Sequence, residues 1–175
     1  MTAERAQRIR FRGTFSNSSI AAPALEMAGD AALVERGVLR MLLMRCPCGC
    51  GDDLVLNLDQ RAGPAWRCYR RSGRLTVHPS YWRDTACGSH FILWNDEIFW
   101  CDWQDEERWW ASQGGLEEQV ANCLGSEWRT YESVAEHLDE LPWDVLRACY
   151  SLVRLRKAEA HPDRKAGRFR RLALD

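Results

Sequence analysis

The sequence predicts an α+β chain, with a small antiparallel β domain followed by a helical domain. Three observations carry that prediction. Apolar residues alternate with period 2 in the first half, as in Leu54-Val55-Leu56-Asn57-Leu58. Cysteines gather at two turns, Cys46-Pro47-Cys48-Gly49-Cys50-Gly51 and Cys87-Gly88-Ser89-His90. After Gly114-Gly115 the apolar period lengthens to that of a helix, and basic residues accumulate toward the end.

Taken in order, residues 11–20 can hold a short strand, and the alanine-rich stretch 21–32 reads as a helix with Pro23 near its start. Residues 38–44 form an apolar run that enters the first cysteine turn, and 54–58 leave it. Strand, turn, strand is the economical reading. Residues 65–69 and 74–77 make a hairpin through Arg71-Ser72-Gly73; 91–94 and 97–101 make another across Asn95-Asp96. Residues 104–115 are polar and acidic and suit a linker with a short helical piece around Trp109. Helices follow at 116–124, at 131–138 with Thr130 or Ser126 as cap, and at 143–157. A basic turn at 164–167 and an alternating strand at 169–174 close the chain. The expected division is therefore a β domain with an N-terminal extension at 1–103, a linker at 104–115 and a helical domain at 116–175.

The 175 residues carry a net charge of −1, so the whole chain has no bulk attraction for nucleic acid or membrane. Residues 1–13 are basic and lack an apolar core, which does not describe a secretory signal, and no apolar run is long enough to span a bilayer. The expected location is cytoplasmic, where clustered cysteines read as metal ligands rather than disulfides.

Cys46, Cys48, Cys50, Cys87 and His90 offer five ligands, one more than tetrahedral Zn2+ requires. Buried structural cysteine is the bland alternative, but three thiols in five residues beside glycine are a poor way to build a core. Residues 49 and 51 being glycine lets the backbone take positive φ and curl the sulfurs around one point. The preferred ligand set is Cys48, Cys50, Cys87 and His90, with Cys46 replacing one of them or hydrogen-bonding from outside. A closed four-ligand site cannot activate water, whereas an open three-ligand site can, and the ligand count favours the closed, structural case.

A catalytic zinc would need a general base. Asp52, Asp53 and Asp84 flank the two turns, but each reads as a solvated turn residue. No His-Glu-x-x-His helix and no deaminase-type His-x-Glu pairing is present. Ser80 and Ser89 show no Ser-His-Asp arrangement in sequence and are not read as nucleophiles; Ser89 is read as a hydrogen-bond partner of a ligand thiolate. No catalytic residue is assigned. Cys68, Cys101, Cys123 and Cys149 read as core positions, and His78 as a turn histidine.

The segment from Leu25 to Trp100 resembles a small bacterial family with a Cys-Pro-Cys-Gly-Cys-Gly turn, a downstream tryptophan strand, a Pro-Ser element and a Cys-x-Ser-His-Phe/Tyr turn. Here these are residues 46–51, Trp66, Pro79-Ser80 and 87–91. Members are often encoded beside ubiquitin-like proteins and their activating and conjugating enzymes. The resemblance implies those proteins as partners. This sequence departs from the pattern in His78 before Pro79 and in its C-terminal extension. That extension resembles a winged helix, whose third helix and hairpin would carry Arg147, Arg154, Arg156, Lys157, Arg164, Lys165, Arg168, Arg170 and Arg171. Such a surface suits nucleic acid; the interrupting acids Asp144, Glu159 and Asp163 suit protein docking instead.

The expectation is thus a zinc-binding adaptor or accessory factor in a bacterial ubiquitin-like conjugation pathway. The alternatives are a zinc-dependent hydrolase or peptidase processing the modifier, and a DNA-binding regulator.

Overall fold

Period-2 patterning is answered by two four-stranded sheets in the first half of the chain. The computed structural model describes residues 5–101 and 115–172 and divides into two units, Met1–Asp105 and Glu106–Asp175. One sheet orders β1 (Arg10–Phe15), β2 (Asp30–Glu35), β3 (Leu39–Arg45) and β4 (Asp53–Asn57) in sequence. The other does the same with β5 (Arg67–Arg71), β6 (Arg74–Trp82), β7 (His90–Trp94) and β8 (Glu97–Trp100).

Their facing sides share one core, in which Leu42, Met44, Leu54 and Leu56 join Leu75, Val77, Phe91 and Ile98. Each such side chain removed from water contributes about 1.5–3 kcal/mol. The alternation is visible in β4, where Leu54 and Leu56 are buried and Val55 stands out. Two-residue turns close the hairpins: Asn95 and Asp96 take φ of 52° and 65°, and Ser72 and Gly73 take 49° and 77°. Left-handed values at both positions match the twist of the flanking strands.

Residues 21–32 depart from expectation. The helix α1 (Ser18–Ala21) and a single 3-10 turn, Ala22–Ala24, end before Asp30, where β2 begins. Burial explains both the structure and the misreading. β2 packs Ala31 and Leu33 into the main core while Ala32 and Val34 join Ala21, Leu25 and Leu43 on the other face. A strand covered on both sides loses its alternation, and a short alanine-rich run then looks helical. β1 and β2 are parallel, so the unit is mostly rather than wholly antiparallel.

The second unit holds α2 (Glu117–Cys123), β9 (Arg129–Thr130), α3 (Tyr131–Leu138), α4 (Pro142–Arg154), β10 (Ala158–Ala160) and β11 (Arg168–Arg171). Its three strands form an antiparallel sheet in the order β10-β11-β9. Thr130 caps α3 by accepting from the N–H of Ser133 at 3.2 Å, and Pro142 opens α4, where its missing N–H costs nothing. Val120, Val134, Leu146, Cys149, Leu152 and Phe169 are buried. Arg147, read as outward-facing, is buried, with Asp144 at 3.8 Å. The predicted linker at 104–115, with its helical piece around Trp109, lies outside the described residues except for Gly115, as does Leu174. Among the described residues no helix is long and apolar enough to cross a membrane.

Candidate metal centre and a serine–histidine pair

The two cysteine turns sit at strand ends on facing sheets. Cys46 directly follows β3, and the chain reverses through Gly49 and Gly51 at φ of 84° and 88° before β4. The turn is held by Cys46 N–H donating to Asp52 O at 2.8 Å and Gly49 N–H donating to Cys46 O at 3.1 Å. Arg45 braces it from outside, donating to Gly51 O and pairing with Asp53 at 3.1 Å. Cys87 lies before β7 in a tight turn with Ala86 and Gly88 at φ of 55° and 62°.

These turns bring Cys46, Cys48, Cys50 and Cys87 together, their sulfurs all within 4.8 Å of one another. Cys46 Sγ is 3.3 Å from Cys48 Sγ and 3.7 Å from Cys87 Sγ. Four convergent thiols on glycine-permitted turns are a donor set that could hold a metal ion, for which zinc is typical. Ser89 is buried between the turns, its hydroxyl 3.1 Å from Cys87 Sγ and 3.4 Å from Cys46 Sγ. Arg83 links the turns a second way, through Asp52 at 2.9 Å and its own N–H donating to Ser89 O at 2.8 Å.

Burial pushes the Cys46 thiol far up, only partly offset by the Ser89 hydroxyl. At Cys87 burial also acts upward, but hydrogen bonds from the Ser89 hydroxyl and N–H and from neighbouring thiols prevail, bringing it to about 6.

His90, the fifth candidate ligand, stands outside the four sulfurs. Its Nε2 lies 3.2 Å from Ser80 Oγ. A histidine is thus within hydrogen-bonding reach of Ser80, a proximity that the sequence spacing did not show. β6 and β7 pair Trp82 with His90, and Ser80 lies two residues before Trp82, so the three side chains share one face of the sheet. Both members of the pair are half-buried, and burial lowers the pKa of His90. The exposed Trp82 indole flanks the pair, its ring 6.0 Å from that of His90. Among the described residues no carboxylate is hydrogen-bonded to His90.

The signal that could have exposed this pair was present. Pro79-Ser80 belongs to the resemblance read from the sequence, and counting Ser80 and Trp82 onto one face needed only the pairing of Trp82 with His90. Nothing local supplied that pairing, because the register of β6 against β7 shifts between Val77 and Tyr81. His78 is likewise no turn residue: it lies within β6, opposite Arg67, and burial lowers its pKa to about 4. Cys149 is a core position as expected, whereas Cys101 is exposed.

A family model described as "Bacterial ubiquitination-like system serine protease (BubE)" matches residues 19–101. The match covers a little under half the chain and spans the four cysteines, Ser80 and His90. It supports a role in a bacterial ubiquitination-like system. No curated protein and no solved structure matches the chain.

Proposed function

We propose that the β unit is a serine peptidase of a bacterial ubiquitination-like system, with Ser80 as nucleophile, His90 as its base, and the four cysteines as a structural zinc site. The observation that carries this reading is the 3.2 Å approach of His90 Nε2 to Ser80 Oγ on one sheet face. The word protease in the matched family's description agrees with it.

The chemistry follows from the geometry. With its proton on Nδ1, His90 offers the Nε2 lone pair to the Ser80 hydroxyl. Ser80 Oγ attacks the acyl carbon of the scissile bond while Nε2 takes the hydroxyl proton. His90 then gives that proton to the leaving amine, and water, activated by the same nitrogen, releases the acyl group. Its depressed pKa keeps His90 neutral, the form a base needs, at ordinary cellular pH.

Cys46, Cys48, Cys50 and Cys87 would hold Zn2+ with no position left for water, so the metal would contribute by fixing the two turns. Ser89, hydrogen-bonded to two of those thiols, is the residue next to His90, so the cluster and the catalytic base share one turn. This reading replaces the preference for His90 over Cys46 as a ligand.

The second unit we read as a winged-helix-like docking module for pathway partners. Its order of helix, short strand, two helices and hairpin supports that reading, and two of its arginines weigh against nucleic acid. Arg147 is buried, and Arg170 is paired with Glu159 at 2.7 Å.

The test of the peptidase is cleavage of a ubiquitin-like protein carrying a C-terminal extension. Ser80→Ala is expected to lower kcat by about 10³-fold or more while retaining metal. Cleavage by Ser80→Ala at wild-type rate would refute the assignment.

A further inference from the structure

Beyond His78, one edge of β6 has no strand against it among the described residues. The β5–β6 pairs run from Arg71 opposite Arg74 to Arg67 opposite His78 and end there. The preceding residue, Trp66, turns away and donates its N–H to Asn57 O at 2.8 Å. β6 continues to Trp82, and its last pairs, Tyr81 with Phe91 and Trp82 with His90, are both on the β7 side.

The antiparallel pattern settles where the backbone groups point. Arg83 N–H donates to Ser89 O at 2.8 Å, so that pair is hydrogen-bonded and the adjoining Trp82–His90 pair is not. The N–H and C=O of Trp82 therefore point away from β7, into the open edge. Two residues back, the C=O of Ser80 points the same way. The direction is corroborated twice: Ser80 O accepts from Trp66 Nε1 at 3.4 Å on the β5 side, and His90 O turns to the opposite neighbour, accepting from Cys101 N–H at 2.9 Å.

Resting on the serine–histidine reading above, we propose that the substrate binds as an extended peptide strand along this open edge, hydrogen-bonded to the backbone of Trp82, and that this pairing delivers the scissile carbonyl to Ser80. An open edge is a template for one more strand, and strand addition holds any sequence through its main chain. Adjacent strands lie about 4.8 Å apart, so a chain paired at Trp82 needs only a slight bend to cross Ser80 two residues away. The Trp82 indole, 67% exposed on the Ser80 face, would cover the substrate beside the bond and keep water from it.

The experiment uses the full-length protein and a mixed-sequence decapeptide library, whose best-cleaved member is then resynthesised with a single N-methyl group at each position in turn. N-methylation removes one main-chain donor and leaves the side chain untouched. Away from the scissile amide, loss of at least about tenfold in kcat/KM is expected only at positions whose N–H faces β6, with immediate neighbours unaffected, following the period of a strand. Fluorophosphonate labelling of Ser80, which needs no strand pairing, is measured beside it. Labelling of Ser80 with uniform or absent N-methyl sensitivity, or with no library member cleaved, would overturn the strand-addition inference alone. Failure to label Ser80 would overturn the peptidase reading and this inference with it.

Discussion

Ser80 is an ordinary strand residue until His90 is set beside it, and the environment of that histidine makes a measurable demand. Burial disfavours the charged imidazolium, so His90 titrates below the usual 6.5. A base works only when unprotonated. Cleavage should therefore be maximal at neutral pH and fall as the pH drops through a midpoint below 6.5. A kcat/KM profile with its acid limb above that value would show that another group is the base. The exposed Trp82 beside the pair should leave this midpoint nearly unmoved when changed to Phe, because an indole carries no charge to bias the imidazole.

At the scale of elements, the sheet containing β1 to β4 depends on one buried carboxylate. Asp30 begins β2 with no exposure and accepts from Arg10 Nε at 2.7 Å and Arg12 Nη2 at 3.0 Å. It also accepts the backbone N–H groups of Glu26 and Met27 at 2.9 and 2.8 Å. Burial alone would raise its pKa, but the bonds from Arg12, Met27, Arg10 and Glu26 prevail and hold it at about 2. The group thus joins the parallel strand β1 and the chain leaving α1 to the start of β2. Asp30→Asn keeps the shape but removes the charge and half the accepting capacity. It should cost about 2 kcal/mol, read as a lower urea midpoint with unchanged slope. A loss under about 0.5 kcal/mol would mean that the arginines bind solvent equally well.

For the whole molecule, the two units make different demands on the cysteine cluster. The four sulfurs come from a turn after β3 and a turn before β7, so a metal there would tie one sheet to the other. The second unit contributes none of them. Purified protein should carry about one zinc per chain, and Cys48→Ser or a chelator should remove it. Hydrogen exchange should then rise in the strands between Arg10 and Trp100 and stay unchanged between Glu117 and Arg171. Elemental analysis without metal, or exchange rising equally in both units, would contradict a structural zinc confined to the first.

What the sequence determined by itself was local. The glycines at 49 and 51, the hairpin turns at 72–73 and 95–96, and Thr130 ahead of the helix at 131–138 each act within a few residues of chain, so they could be read directly. They placed the cysteine turns at strand ends and put β structure before helices. Tertiary structure decided the rest. Covering β2 on both faces turned an apparent helix into a strand, and packing of α4 took Arg147 out of an apparent basic stripe. The register shift in β6, followed by the pairing of Trp82 with His90, set Ser80 against a histidine that its spacing had assigned to the metal. A strand's own residues specify its faces, but only its partner specifies which side chain from elsewhere in the chain will lie across from them.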